Sequence, residues 1–157
     1  FLLQIAQALG HMVSTSISST SEFVEREIQQ ALEWLGAEQW HRRLAACLIM
    51  RELTRKAPSS VFTHMTDFLQ RFKLVVHDPE LSIRATASEA LTLCLEMLAK
   101  RMKAKRATRM SLDWQQMDKG LKMGTEPEAH GSMLVAAAML DHGGPFMIDR
   151  LVQTGKD

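Results

Sequence analysis

Apolar residues recur at three- and four-residue steps from one end of this chain to the other, and no stretch alternates with a period of two for long. Three-to-four spacing lines one face of an α-helix, whereas a half-buried strand needs alternation. The pattern therefore predicts an all-α chain with short breaks. Leu2, Ile5, Leu9 and Met12 make the first stripe, and a Ser/Thr-rich loop, Ser14 to Ser21, follows it. The second helix is expected to start near Glu22, with Ser19 and Glu22 at capping-box spacing and Ser21 as an alternative cap. Val24, Ile28, Ala31, Leu32 and Leu35 form its stripe, and Gly36 is placed to end it in a left-handed conformation.

A third helix is expected from about Trp40 to Ala57, stopped by Pro58. Its apolar set (Leu44, Ala45, Cys47, Leu48, Ile49, Leu53) is wide, which predicts neighbours on two sides. The fourth, about Ser60 to Val76, carries the cleanest stripe: Val61, Met65, Phe68, Leu69, Phe72, Val75 and Val76. Asp78 suits an N-cap and Pro79 a first helical residue, whose missing N–H would be unpaired there anyway. The fifth helix buries Ala87, Leu91, Cys94, Leu95, Leu98 and Met102 and ends in basic residues that complement its dipole. A sixth is expected near Ser111 to Met123, with Trp114, Met117 and Leu121. Thr125 and Glu128 have capping-box spacing and open a seventh, reaching about Leu140. Gly143-Gly144-Pro145 breaks it, and a short helix around Phe146 to Val152 follows.

Length and charge narrow the class. With 157 residues the chain fits about one domain and needs no metal or disulfide staple to fold. A net charge of +1 argues against a dedicated nucleic-acid domain. Cys47 and Cys94 are too few for a disulfide framework. Without Asn there is no N-glycosylation sequon. Residues Phe1 to Ser21 lack Lys, Arg, Asp and Glu, but the basic start of a signal peptide is missing and Gln4 and Gln7 interrupt the run, so an amphipathic helix is expected. The apolar stretch Gly131 to Leu140 is too short to span a bilayer. The first residue is not Met, so the chain reads as an excerpt of something longer.

Helices three and five superimpose. Arg43 matches Arg84, Ala46 matches Ala87 and Met50 matches Leu91, an offset of 41 positions. That period suits HEAT or armadillo units. The segment Val76 to Arg84 resembles the HEAT turn, in which an Asp closes the first helix and an Arg sits early in the second. A carboxylate and a guanidinium repeated at fixed offset can form a ladder along stacked turns. The repeat-turn residues are thus Arg43, Asp78, Pro79 and Arg84. The Asp is absent from the earlier turn, Gly36-Ala37-Glu38, and Ala129 or His130 falls where the third Arg would be. The expected fold is a right-handed superhelical solenoid of stacked helix pairs; a compact seven-helix bundle is the alternative. The units would be residues 22–57, 60–103 and 111–142, with 1–21 ending a preceding unit and 143–157 starting a following one.

The string Phe23 to Ala37, above all Ala31-Leu32-Glu33-Trp34-Leu35-Gly36-Ala37, resembles the amino-terminal HEAT region of target-of-rapamycin (TOR) protein kinases. Arg42 to Leu53, Asp78 to Ala87 and His130-Gly131 continue it in register, so the resemblance covers about Glu22 to Leu140. Lys100 to Lys119 is compressed relative to the family, although Trp114 and Lys119-Gly120 are kept. The resemblance implies a parent serine/threonine kinase of the phosphatidylinositol-3-kinase-related class that controls growth in response to nutrients. ATP and Mg would belong to its distant catalytic domain. It also implies a scaffolding segment that docks regulatory subunits, a dimeric parent, and a cytoplasmic location with indirect recruitment to lysosomal or vacuolar membranes.

The residues themselves predict no catalysis, cofactor or metal in this segment. There is no Gly-rich phosphate loop, no nucleophile elbow and no Asn to hold a kinase metal. The six histidines are scattered, and His130 reads as a partly buried structural residue. Cys47 and Cys94 read as buried, inert thiols. Met65, Met117 and Met133 fit core stripes, whereas Met102, Met110 and Met123 are candidates for exposure. Lys100, Arg101, Lys103, Lys105, Arg106 and Arg109 form one basic run with no acid between Glu96 and Asp113. It is either a solvated helix end or a docking strip for an acidic partner, an anionic membrane or nucleic acid. An adaptor for extended peptides is a further alternative, but the row of Trp and Asn it would want is missing.

Overall fold

The computed structural model describes residues 1–15, 20–101 and 119–143. These form helices and connecting turns, with no strand among the described residues. The elements are α1 (Leu2–Thr15), α2 (Thr20–Trp34), α3 (Trp40–Lys56), α4 (Pro58–Thr63), α5 (Met65–Val76), α6 (Leu81–Arg101) and α7 (Glu126–Gly143). Residues 119–123 are also helical.

The helices stack in two rows. α1, α3, α6 and α7 pack each on the next, and α2 and the α4–α5 segment lie against them as the first halves of helix pairs. This is the all-α arrangement of stacked pairs in a helical-repeat protein, where each pair leaves an apolar face for its neighbour. One continuous core runs through the stack, from Val13 through Ile28, Met50, Phe68, Ile83 and Leu91 to Met139. α3 has neighbours in α1, α2 and α6. Nine consecutive positions, Ala46 to Thr54, are buried, so no single stripe exists for periodicity to mark.

Several local expectations are corrected. α1 does not bury Ile5 and Met12, which are exposed; it turns Ala6, Gly10 and Val13 inward. Small residues win because the helices approach closely: a Cβ on Gly10 would already stand 3.3 Å from the Glu52 Cβ. Gly36 has no left-handed backbone. The α2 terminus tightens instead through the Gly36 N–H donating to Glu33 O and the Ala37 N–H to Trp34 O, which are i→i−3 bonds. The expected fourth helix starts earlier, at Pro58, and is broken at His64. His64 Nε2 there donates to Glu25 Oε1 at 2.6 Å, tying the break to α2. α6 starts at Leu81 rather than Pro79, because the Asp78 carboxylate accepts the Glu80 N–H and holds a turn before the helix. Met133 is 54% exposed rather than core. Met65 is buried and Met123 exposed. Met102, Met110, Met117, the Ser19 cap, most of the expected sixth helix and the last short one lie outside the described residues.

Candidate functional site

The residues singled out at the repeat turns come together along one edge of the stack. Arg43 stands on the first turn of α3. Its Nη1 donates to the carbonyls of Ala37 and Glu38, at 2.9 and 2.6 Å, closing its own turn. Its Nε and Nη2 reach across to both oxygens of Asp78 in the next turn. Two parallel charge-assisted bonds of this kind are the strong form of the interaction. Donating to the Asp78 carboxylate holds the Arg43 guanidinium still more firmly protonated. Asp78 itself is 3% exposed.

Arg84 stands at the same place on α6. Its Nη1 donates to the carbonyls of Asp78 and Pro79, at 2.6 and 2.8 Å. These are six and five residues back, the same offsets as for Arg43. Its Nε donates to His130 Nδ1 at 3.0 Å, on the first turns of α7. Next to this contact the His77 ring Nε2 lies 3.1 Å from Ser132 Oγ. Burial lowers the affinity of His77 for a proton, partly countered by the Glu128 carboxylate. Glu128 accepts the N–H and hydroxyl of Thr125 at the head of α7, and these bonds hold its carboxyl below the usual range. Gly131 completes the junction: a Cβ there would collide with the Val76 carbonyl oxygen at the end of α5.

A second polar cluster escaped sequence reasoning. Arg51 and Glu52, both buried within α3, form a chain with Glu89 of α6 and Arg55. The Arg51 Nη1 to Glu89 Oε2 distance is 2.7 Å. Adjacent Arg-Glu residues inside an apolar run give no periodic signal, so only the packing of α1, α3 and α6 reveals them.

The carboxylates of Asp78 and Glu52 are engaged by guanidinium groups. Among the described residues, no three of His, Cys, Asp and Glu converge on a metal-sized space. Cys47 and Cys94 are buried, and burial pushes both thiols up to about 12. Among the described residues, no helix is long and apolar enough to cross a membrane. Of the basic run, Lys100 and Arg101 form the end of α6, with Arg101 Nη2 donating to Ser59 Oγ at 2.8 Å. Lys103, Lys105, Arg106 and Arg109 lie outside the described residues.

The chain matches no protein-family model. It is similar to the serine/threonine-protein kinase TOR of Oryza sativa, with 31% identity over 156 residues and 95% of its own length. With tor1 of Schizosaccharomyces pombe the figures are 31% and 90%, and with TOR2 of Saccharomyces cerevisiae 27% and 92%. In each case the chain spans only 6% of the relative. Nearly all of this chain is therefore homologous to one short stretch of the TOR serine/threonine-protein kinases.

Proposed function

We propose that this chain is a non-catalytic scaffolding segment from the amino-terminal side of a TOR-type serine/threonine kinase. It docks regulatory subunits and supports assembly of a dimeric complex in nutrient-responsive growth signalling. The observation that carries the reading is the match to TOR kinases over nine-tenths or more of the chain. The architecture supports it: guanidinium clamps tie consecutive pairs into one array. Apolar side chains are exposed at both ends of the stack, Ile5 and Met12 on α1 and Met133 and Leu140 on α7, which suits an array that continues. In this reading ATP and Mg serve only the parent's catalytic domain. The parent works in the cytoplasm and reaches lysosomal or vacuolar membranes through its partners.

Deleting this stretch from the full-length kinase tests the proposal. Purified deleted kinase should phosphorylate a short peptide substrate at the parent rate while recovering less of its regulatory subunits. Full subunit recovery with lost peptide phosphorylation would refute it.

A further inference from the structure

Arg101, the last residue of α6, donates from Nη2 to Ser59 Oγ at 2.8 Å. The Phe62 ring, 5.0 Å from the guanidinium carbon, borders the same group. A guanidinium is thus already placed on the hydroxyl of an exposed serine in the first turn of α4. Lys56 stands three residues before that serine and Arg55 four, both exposed. We propose that Ser59 is a phosphorylation site for a basic-directed serine/threonine kinase, and that Arg101 receives the phosphate and ties α4 to the end of α6.

Two independent observations meet at this serine. Lys56 and Arg55 bear on recognition, because kinases that favour cations ahead of the acceptor select their substrates by charge pattern. Arg55 also pairs with Glu52 at 3.0 Å, so Lys56 is the cation to alter. Arg101 arrives from 42 positions later and bears on the response. A hydroxyl offers the guanidinium one neutral acceptor. Phosphoserine offers three oxygens and close to two negative charges near neutral pH, so a two-pronged, charge-assisted bond replaces a single neutral one. The backbone also favours access. Ala57 leaves the helix at φ −132° and ψ 54°, and Pro58 has no N–H to bond back to α3. Opening the last turn of α3 lets residues 55–59 extend along a kinase groove, and helix ends open locally in this way. Ser60 is less suited: it is half-buried, and Ala57 rather than a cation stands three residues before it. In the reaction, Ser59 Oγ attacks the γ-phosphorus of a nucleoside triphosphate held by the modifying kinase. The new Oγ–P bond replaces the bond to the β-phosphate oxygen, the nucleoside diphosphate leaves, and the serine proton passes to that kinase's carboxylate base.

The test incubates the 157-residue chain with a purified calmodulin-dependent protein kinase and ATP, and locates the phosphate by mass spectrometry. Ser59 should be labelled and Ser60 not. Lys56→Ala, checked for folding by circular dichroism, should slow labelling of Ser59 about tenfold. A second arm installs phosphoserine at position 59 directly. That chain should melt about 3 °C above the parent. Arg101→Ala should remove the rise, and Arg101→Lys, a point charge without the fork, should keep only part of it. No label on Ser59, or labelling indifferent to Lys56→Ala, would overturn the site. A melting rise that survives Arg101→Ala, or no rise at all, would overturn the tie to α6.

Discussion

The junction between α3 and α6 and the junction between α6 and α7 use the same arginine in two different ways. At both, Nη1 closes the turn behind it through carbonyls five and six residues back. Every residue has a carbonyl, so this half of the device survives any change in the turn. The other half depends on a side chain. Arg43 finds a carboxylate in Asp78, whereas Arg84 finds an imidazole in His130. The first junction is therefore held by a two-pronged ion pair and the second by a single bond from a guanidinium to a ring nitrogen. What the second junction lacks in charge it makes up in proximity. Gly131 lets the α7 backbone reach the end of α5, and His77 with Ser132 adds a bond across the same contact.

That contrast can be broken at its strongest points. Gly131→Val should be the most damaging change, because the new Cβ meets a backbone carbonyl, which no rotamer change can relieve. A loss of about 3 kcal/mol or more is expected by urea unfolding. An unchanged midpoint would show that proximity is not what holds α7. Asp78→Ala comes next, at about 2–3 kcal/mol: it strands the half-buried Arg43 guanidinium and frees the Glu80 N–H. Asp78→Asn should recover part of the loss, since an amide oxygen still accepts. If Asn and Ala are equally destabilised, charge carries the whole contact.

Arg84→Ala should cost about 1–3 kcal/mol, through carbonyls left without their buried donor. His130→Ala should cost less, because Arg84 keeps both turn carbonyls. If His130→Ala proves the worse of the two, the clamp on the turn is not the main contribution of Arg84.

The residues that could be read from sequence were those whose partner is local or periodic. The 41-residue offset placed Arg43 and Arg84 at equivalent positions, and the stripe on residues 61–76 matched burial of Val61, Met65, Phe68, Phe72, Val75 and Val76. Legibility failed where a distant neighbour decides. Ile5 and Met12 look like core until Gly10 and Ala6 are seen to bring α1 close to α3. The stripe through residue 64 looks unbroken, yet His64 leaves the helix to meet Glu25, 39 positions earlier. Asp78 suits an N-cap, but its carboxylate is shared with Arg43, 35 positions away, and the helix starts later. A one-dimensional pattern records which face is apolar, and it is silent on how near the next helix comes.

The smallest expected effect separates the two junctions by pH. Burial holds the pKa of His77 below the ordinary histidine value of 6.5, so the folded chain resists taking a proton there. The unfolded chain does not. As pH falls below about 6.5 the unfolded state binds the proton first, and stability declines until the folded ring is protonated as well. Above that window the residue adds no slope. His77 is half-exposed, so solvent screening keeps the effect well below that of Arg84→Ala. Urea midpoints at pH 7.5 and 5.5 should therefore fall slightly for the parent chain and fall less for His77→Gln, which keeps a polar group opposite Ser132. The Asp78→Asn variant, altered only at the first junction, should keep the parent's slope across this window. If its slope flattens as much as that of His77→Gln, the pH response belongs to the ion pair and the two junctions are not electrostatically distinct.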